Sequence, residues 1–239
     1  MIFGSKLLSI YLIDSKVETL IYESNLRQIS YICLRNDSKE IYMAELLKIF
    51  NNHKGYAKMK ELRENGVQTR DIAKAVSDGT IEKIKPGLYK LVDYPWDEYS
   101  SFADVCNAHN KAVICLTSAV EHHKLTTFNP SYITVAVPHN TPRFKLEYPP
   151  IQVYFFPEKY YETGIEELNT KSGKIFIYNK EKSICDLFRY RNKIGDDIVI
   201  ESLKNYLAQK KRDINKLLNY AEMLKVKEKI FPFVKAIVG

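Results

Sequence analysis

Basic and polar side chains on one side of a short segment near residue 70 are of the types that bind DNA. Ile72, Ala75 and Val76 fall at helical spacing, which predicts a helix with these three residues on its buried face. The opposite face then carries Arg70, Ala73, Lys74 and Ser77. Arginine and lysine bind base edges or phosphates, and a serine hydroxyl can bind either. The segment is therefore a candidate recognition helix.

The residues before and after this segment predict how it begins and ends. A shorter helical pattern, Ala57 to Glu64, stops at Asn65-Gly66, a dipeptide that can take the left-handed conformation closing a helix. Thr69 can cap the second helix, and Gly79 ends it. Two helices joined by a tight turn are the result.

A β-hairpin is predicted next, because Ile81 to Lys85 and Leu88 to Val92 are β-prone and Pro86-Gly87 between them favours a tight turn. Helix, turn, helix and hairpin in this order is the pattern of a winged helix-turn-helix, whose second helix enters the DNA major groove. The hairpin carries three lysines at positions where a wing contacts the phosphate backbone: Lys83, Lys85 and Lys90. The plainer alternative is an ordinary helical hairpin with solvated charges.

A further helix is predicted from Ser38, with Met43, Leu46, Leu47 and Phe50 on one face and a stop at residues 51–55. It is the expected first helix of the winged domain, packed against the hairpin and the recognition helix. Residues 1–37 show mixed periodicity and form an N-terminal extension of unassigned role.

The composition is that of a soluble globular protein, with 45% hydrophobic and 27% charged residues among 239. Its apolar runs are too short to cross a bilayer, and no secretory signal is predicted. Four cysteines lie far apart without zinc-ribbon or redox-motif spacing, which favours reduced thiols in the cytoplasm. Nine glycines are spread singly, so no phosphate-cradling loop and no cofactor are expected.

The net charge of +7 is distributed unevenly along the chain. Residues 39–95 carry 11 basic and 8 acidic side chains, residues 96–170 carry 5 and 9, and residues 171–239 carry 16 and 8. A basic field attracts polyanions. The C-terminal helices therefore face nucleic acid or an acidic partner, unless their lysines form only a solvated surface.

Turn residues and a proline at positions 93–97 predict a domain boundary, so residues 38–95 form the winged domain and residues 96–239 a second domain. The second domain combines predicted helices near 102–109 and 116–124 with predicted strands at 132–137, 151–156 and 174–178. Four helical patterns fill its last 60 residues, one of them capped by Asp213. The fold class is therefore α+β, with a mixed α/β domain ending in a helical subdomain.

Four sequence stretches in this order resemble the AbiEi-type antitoxins of abortive-infection (type IV) toxin–antitoxin systems. The first is the hairpin DGTIEKIKPGLYKL, and the second is LTSAVEHHKLTTFNPSYITVAVP. The third is YNKEKSICDLFRYRNKIGDDIVIESLKNYL, and the last is DINKLLNYAEMLKV. The resemblance extends from about Ser38 to Gly239, and residues 1–37 lie outside it.

The resemblance implies a repressor that binds inverted repeats of double-stranded DNA in its own promoter and counteracts a cognate nucleotidyltransferase-like toxin. Carried over by position, the DNA-facing residues are Gln68, Thr69, Arg70, Lys74, Ser77, Lys83 and Lys85. Asp71 and Asp78 dilute the positive charge of the recognition helix, which is a departure from a strongly basic reader. Asp186 and Arg189 match recurrent family positions and are interpreted as a structural ion pair at i, i+3. Neither the operator sequence nor the oligomeric state follows from the resemblance.

Enzymatic alternatives rest on scattered residues. Cys106, His109, His122 and His123 do not form a recognisable set of four zinc ligands, so no metal site is predicted. A magnesium-dependent nuclease would use carboxylates near the strands: Glu147, Glu158, Glu166 and Glu167. A third class is a winged-helix adaptor that binds only protein. The sequence and its resemblance together favour a non-enzymatic, cytoplasmic DNA-binding antitoxin.

Overall fold

The computed structural model describes residues 43–238. The predicted helix start at Ser38 and the extension 1–37 lie outside the described residues. The chain divides into two compact units between Asn52 and His53. In the first unit, helix α1 is described over residues 43–52, and its apolar side chains Leu46 and Phe50 are buried.

The predicted stop after α1 is confirmed. Lys54 and Gly55 both adopt positive φ angles, 55° and 85°. A Cβ atom at position 55 would lie 2.7 Å from the ring of Tyr94 and 2.8 Å from that of Trp96. Glycine is therefore required at position 55 both for its backbone conformation and for space.

A small antiparallel sheet opens the second unit, with strand order β1-β3-β2. Its elements are β1 (Tyr56–Lys58), α2 (Met59–Glu64), α3 (Thr69–Ser77), β2 (Ile81–Lys85) and β3 (Leu88–Leu91). The predicted hairpin is confirmed. The prediction of helix from Ala57 was wrong for its first two residues, because Ala57 pairs with Tyr89 and Lys58 with Leu88 across the sheet. Strand pairing over a distance of 30 residues overrides the local helical pattern there.

The predicted helix ends are largely confirmed. Asn65 closes α2, with Gly66 at φ +82°, and Gly79 at φ +73° follows α3. Thr69 is not the N-cap of α3, however. Gln68 occupies that position without a side-chain capping bond, and Thr69 is the first helical residue.

A larger sheet has strand order β6-β5-β4-β8-β7 and mixes parallel and antiparallel pairs. The elements of this region are α4 (Ser100–Ala108), β4 (Val113–Ile114), α5 (Leu116–His122), β5 (Ile133–Pro138), β6 (Ile151–Phe156), α6 (Glu158–Tyr161), β7 (Ile165–Thr170) and β8 (Gly173–Tyr178). The three predicted strands correspond to β5, β6 and β8. Strands β4 and β7 escaped prediction because β4 has only two residues and β7 is largely polar.

The connection between the parallel strands β5 and β6 contains no helix. Residues 139–150 instead run over the surface, with Phe144 and Leu146 packed against the buried residues of the sheet and α4. Arg143, Lys145 and Glu147 alternate with them and are exposed. Alternation with period two gives the segment one apolar and one charged side.

Five helices complete the chain: α7 (Lys180–Arg189), α8 (Arg191–Ile194), α9 (Asp196–Ala208), α10 (Ile214–Met223) and α11 (Lys227–Val238). The predicted cap by Asp213 is confirmed, since its carboxylate accepts the Lys216 N–H at 2.9 Å. Together with α5 and the large sheet these helices enclose the main hydrophobic core. The coarse prediction of an α+β fold is confirmed.

A buried charge cluster lies inside α7. The Asp186 carboxylate binds the Lys182 ammonium at 2.5 Å and the Arg189 guanidinium at 2.8 Å. Lys182 and Asp186 have no exposed side-chain surface. Asp186 and Arg189 thus form the predicted i, i+3 ion pair, and Lys182 adds a second cation. None of the helices within residues 43–238 is both long and apolar enough to span a bilayer.

Candidate nucleic-acid interface

Helix α3 has one anchored side and one outward side. Ile72 and Ala75 are 1% and 3% exposed and hold the helix to its surroundings, with contacts to β2. The outward side consists of exposed residues only: Thr69, Arg70, Ala73, Lys74 and Ser77. The division follows the i, i+3 spacing of the anchors. The structure therefore places four of the five predicted residues on one exposed side of the helix, and it places the fifth, Gln68, at the N-cap.

The charged groups on this surface differ in how they are held. The Arg70 side chain is 79% exposed, and its Nε lies 3.6 Å from the Asp71 carboxylate. A solvated pair of this kind contributes little to stability and separates at little cost. Lys74 is exposed near the C-terminal end of the helix. Both cations can extend toward a polyanion.

The three uncharged polar side chains, Ser77, Thr69 and Gln68, differ in the hydrogen bonds that they already form. The Ser77 hydroxyl donates to the backbone oxygen of Lys74 at 2.8 Å, so it would contact a base as an acceptor unless that bond broke. The Thr69 hydroxyl accepts from the Arg63 guanidinium at 3.1 Å. This bond links α2 to the start of α3 and leaves the threonine proton for another acceptor. Gln68 is exposed at the N-cap.

The hairpin carries Lys83 and Lys85 on β2. Lys83 lies opposite Tyr89, and Lys85 lies opposite Leu88, with a bulge between them that displaces Ile84. Ile84 is buried at 3% exposure. The bulge interrupts the alternation of inward and outward side chains along β2. Of the two lysines that flank Ile84 in the sequence, Lys83 is exposed and Lys85 is half-buried.

Lys90 was expected to face a phosphate backbone together with Lys83 and Lys85, but its side chain is directed to a buried carboxylate instead. Its ammonium lies 2.8 Å from the carboxylate of Asp104, which is 1% exposed. The Tyr56 hydroxyl donates to the other oxygen of Asp104 at 2.7 Å. Burial and the Asp104 charge raise the pKa of Tyr56 far above its ordinary value. The cluster links β1 and β3 to α4.

Sequence reasoning missed this cluster, although one signal was present. Asp104 is a lone acid among small and apolar residues of the α4 pattern, where a carboxylate must be paired if it is buried. Its partners are 14 and 48 residues away in the chain. Their identity was therefore invisible without the fold.

Residues from the end of α4 and from the 139–150 connection pack beside the hairpin. Burial, together with the positive charges of Lys85 and Lys111, lowers the pKa of His109. The His109 ring stacks on Phe144 with 4.5 Å between ring centroids. Leu146 packs on Ile84 and the neighbouring apolar side chains. The apolar side of the 139–150 connection therefore packs against the hairpin, and Arg143 and Lys145 on its other side are exposed.

Three of the residues weighed for metal chemistry form other contacts: His123, Cys106 and Glu167. His123 forms a 2.7 Å hydrogen bond between Nε2 and the Tyr178 backbone oxygen, and the Cys106 thiol receives the Phe176 N–H at 3.5 Å. Glu166 and Glu167 are consecutive on β7 and thus point to opposite faces, and Glu167 pairs with Lys174 at 2.7 Å. Across residues 43–238, no three His, Cys, Asp or Glu side chains are grouped as metal ligands.

Comparison with known proteins gives no assignment: no family model matches the chain, and no curated protein matches it.

Proposed function

We propose that this protein is a DNA-binding antitoxin that represses its own promoter through a winged helix-turn-helix. The observation that carries the proposal is the outward side of α3. Arg70, Lys74 and their polar neighbours are exposed on it, while Ile72 and Ala75 hold the helix at 1% and 3% exposure. A rigid helix with cations on its solvent side is the shape and chemistry that the major groove accepts.

The neighbouring elements support the same interpretation. Helices α2 and α3 lie between β1 and β2 in the chain, and the hairpin β2-β3 follows α3 directly. In a winged helix-turn-helix domain the hairpin contacts the phosphate backbone of the DNA, beside the major groove that the recognition helix occupies. Lys83 and Lys85 have the charge for such contacts, which contribute affinity without sequence preference.

The remainder of the proposal concerns the antitoxin activity. The chain acts in the cytoplasm, binds inverted repeats in its promoter and counteracts a nucleotidyltransferase-like toxin encoded beside it. The basic C-terminal region, with 16 basic and 8 acidic residues after position 170, is the part suited to an acidic partner or to nucleic acid. No metal or cofactor takes part.

A two-readout experiment tests this function. The full chain is expressed with a reporter under the DNA upstream of its own reading frame, and separately with the product of the adjacent reading frame. Repression of the reporter and recovery of colony growth are both expected. A matched variant, Arg70→Glu with Lys74→Glu, should lose repression and keep growth recovery. A chain that neither represses nor restores growth would refute the proposal.

A further inference from the structure

A cavity of about 320 Å³ lies between the small sheet and the start of β8. Its lining residues all belong to the second compact unit: His53, Lys54, Tyr56, Ala57, Lys58, Glu61, Leu88, Asn107, Gly173 and Lys174. The volume falls at the lower end of the range for small-molecule sites, about 300 to 1,000 Å³. It can hold a group as large as a phosphate with part of the molecule that bears it.

The lining is divided between an apolar floor and a cationic rim. Tyr56, Ala57 and Leu88 are 4%, 1% and 3% exposed and form the floor. The rim carries three lysines from three separate elements: Lys54 before β1, Lys58 at the end of β1 and Lys174 on β8. An apolar floor with a few convergent polar groups is typical of ligand sites.

The charge of the rim is poorly neutralised from within the lining. Glu61 is its only carboxylate among the described residues, so one acid faces three lysines; its Oε2 accepts the Lys58 backbone N–H at 2.7 Å, and the carboxylate keeps its negative charge. Lys54 donates to the Thr170 backbone oxygen at 3.1 Å, which orients the side chain without neutralising it. Lys174 pairs with Glu167, but both side chains are largely exposed, at 61% and 41%. Such a pair exchanges readily for a stronger anion.

The backbone at Lys54 and the neighbouring Gly55 has an uncommon conformation. Lys54 is held at φ 55°, a left-handed conformation that residues other than glycine seldom adopt. Gly55 beside it tolerates no side chain, because the rings of Tyr94 and Trp96 fill the space. Asn107 also lines the cavity, next to Gly173, and its side-chain amide can donate a hydrogen bond to an oxyanion.

We infer that this cavity binds the phosphate group of a phosphorylated ligand, through Lys54, Lys58 and Lys174. Lysine ammonium groups bind phosphate oxygens by charge-assisted hydrogen bonds. Two sources share this chemistry: a free phosphorylated small molecule of about nucleotide size, and the backbone of DNA. The site is separate from the outward side of α3, so the inference does not depend on the proposed function.

Isothermal titration of the full chain with inorganic pyrophosphate, and then with ATP, tests the site directly. Saturable binding to the parent is expected. Lys58→Ala and Lys174→Ala should each weaken it about tenfold, the effect of losing one charge-assisted hydrogen bond of about 1.4 kcal/mol. Lys60→Ala is the matched control, because Lys60 is 84% exposed next to the cavity but does not line it. Its affinity should equal that of the parent.

A second arm identifies the source of the phosphate. A short DNA duplex that displaces pyrophosphate, and whose own binding weakens in Lys58→Ala and Lys174→Ala, identifies the DNA backbone. A duplex that leaves pyrophosphate bound identifies a small molecule. Absence of pyrophosphate and ATP binding, or binding that both variants retain in full, overturns the inference. DNA binding by α3 would be unaffected by that failure, so the two proposals are tested apart.

Discussion

Asp186 is a fully buried carboxylate held by two cations. The Lys182 ammonium that binds it also lies 4.0 Å from the centroid of the Tyr178 ring. Burial lowers the pKa of Lys182, and the Asp186 charge opposes that effect. A buried charge that loses its partner is costly, whereas an exposed one is not. The cluster is therefore expected to matter for folding and not for recognition.

Replacing this carboxylate should destabilise the protein strongly. Asp186→Ala is expected to lower the free energy of unfolding by about 3–5 kcal/mol, because Lys182 would remain buried without its counter-ion. Asp196→Ala is the control, since Asp196 pairs with Arg191 in an exposed position. Urea unfolding followed by circular dichroism measures both variants. Equal midpoints for the two variants would show that the buried pair contributes no more than a surface pair.

Asp97 provides a pH-dependent contribution to stability. Its partial burial opposes ionisation, but hydrogen bonds from the Ser172 hydroxyl and from the N–H groups of Tyr99, Lys171 and Ser172 outweigh this and lower its pKa. A carboxylate with a lowered folded-state pKa stabilises the fold above its unfolded pKa, about 3.9, and loses that contribution as pH falls through the folded value.

The Asp97→Asn variant should therefore differ from the parent in a pH-dependent way. Near pH 6 the parent should be the more stable of the two, and the difference should shrink as the pH falls below about 4. Thermal melts from pH 3 to pH 6 provide the measurement. A difference that is constant over that range would mean that ionisation of Asp97 is not involved.

At the scale of elements, the lysines of the hairpin β2-β3 fall into two groups with different surroundings. Lys90 pairs with the buried Asp104, whereas on β2 Lys83 is exposed and Lys85 is half-buried. The first contact fixes the hairpin to α4, and the other two lysines are suited to phosphates. One lysine of the hairpin thus has a structural role, and the other two carry the proposed contacts with DNA.

Changes at the two wing lysines should be visible in the salt dependence of DNA binding. Lys83→Ala and Lys85→Ala should each reduce the magnitude of the slope of log affinity against log salt by about one, with equal loss on every sequence. Gel-shift titrations at four salt concentrations, on operator and unrelated DNA, measure this. Lys159→Ala, an exposed lysine on α6, is the control. An unchanged slope with altered sequence preference would contradict a backbone-contacting wing.

Elements with local signals were predictable, and elements defined by distant pairing were not. The turns around α3 and within the hairpin are predicted by local residues: Gly66, Gly79 and Pro86-Gly87. Ala57 and Lys58 were predicted as the start of a helix, yet they belong to a strand because β3, about 30 residues later, pairs with them. In the site, the exposed face of α3 follows from the spacing of Ile72 and Ala75. The cavity rim could not be predicted, since Lys58 and Lys174 are brought together only by the fold.

For the whole molecule, the contacts across residue 95 bear on the predicted domain division. Asp104, beyond the boundary, is buried against Tyr56 and Lys90, before it. A fragment beginning near Trp96 would leave that carboxylate without these partners. That residues 38–95 and 96–239 fold separately stays a prediction. Substitutions in the full chain test the two proposed activities separately and leave this cluster intact.

Charge reversal in the C-terminal region is the corresponding whole-molecule test. Lys210, Lys211 and Arg212 are exposed between α9 and α10. Changing all three to Glu should weaken recovery from the toxin, because encounter with an acidic partner or nucleic acid depends on charge complementarity. Promoter repression should be retained. Colony growth and reporter activity, scored in the same cells, measure the two effects. Unchanged growth recovery would mean that these residues form only a solvated surface.

Fluorescence anisotropy most directly tests whether the outward side of α3 reads DNA. The labelled duplex is taken from the DNA upstream of the protein's own reading frame. The parent should bind this duplex more tightly than a scrambled one. Arg70→Ala and Lys74→Ala should each lose about 1–3 kcal/mol of binding free energy where they contact a base, while Lys60→Ala binds as the parent does. If both α3 variants bind like the parent, or if the parent does not distinguish the two duplexes, α3 is not the DNA-reading element.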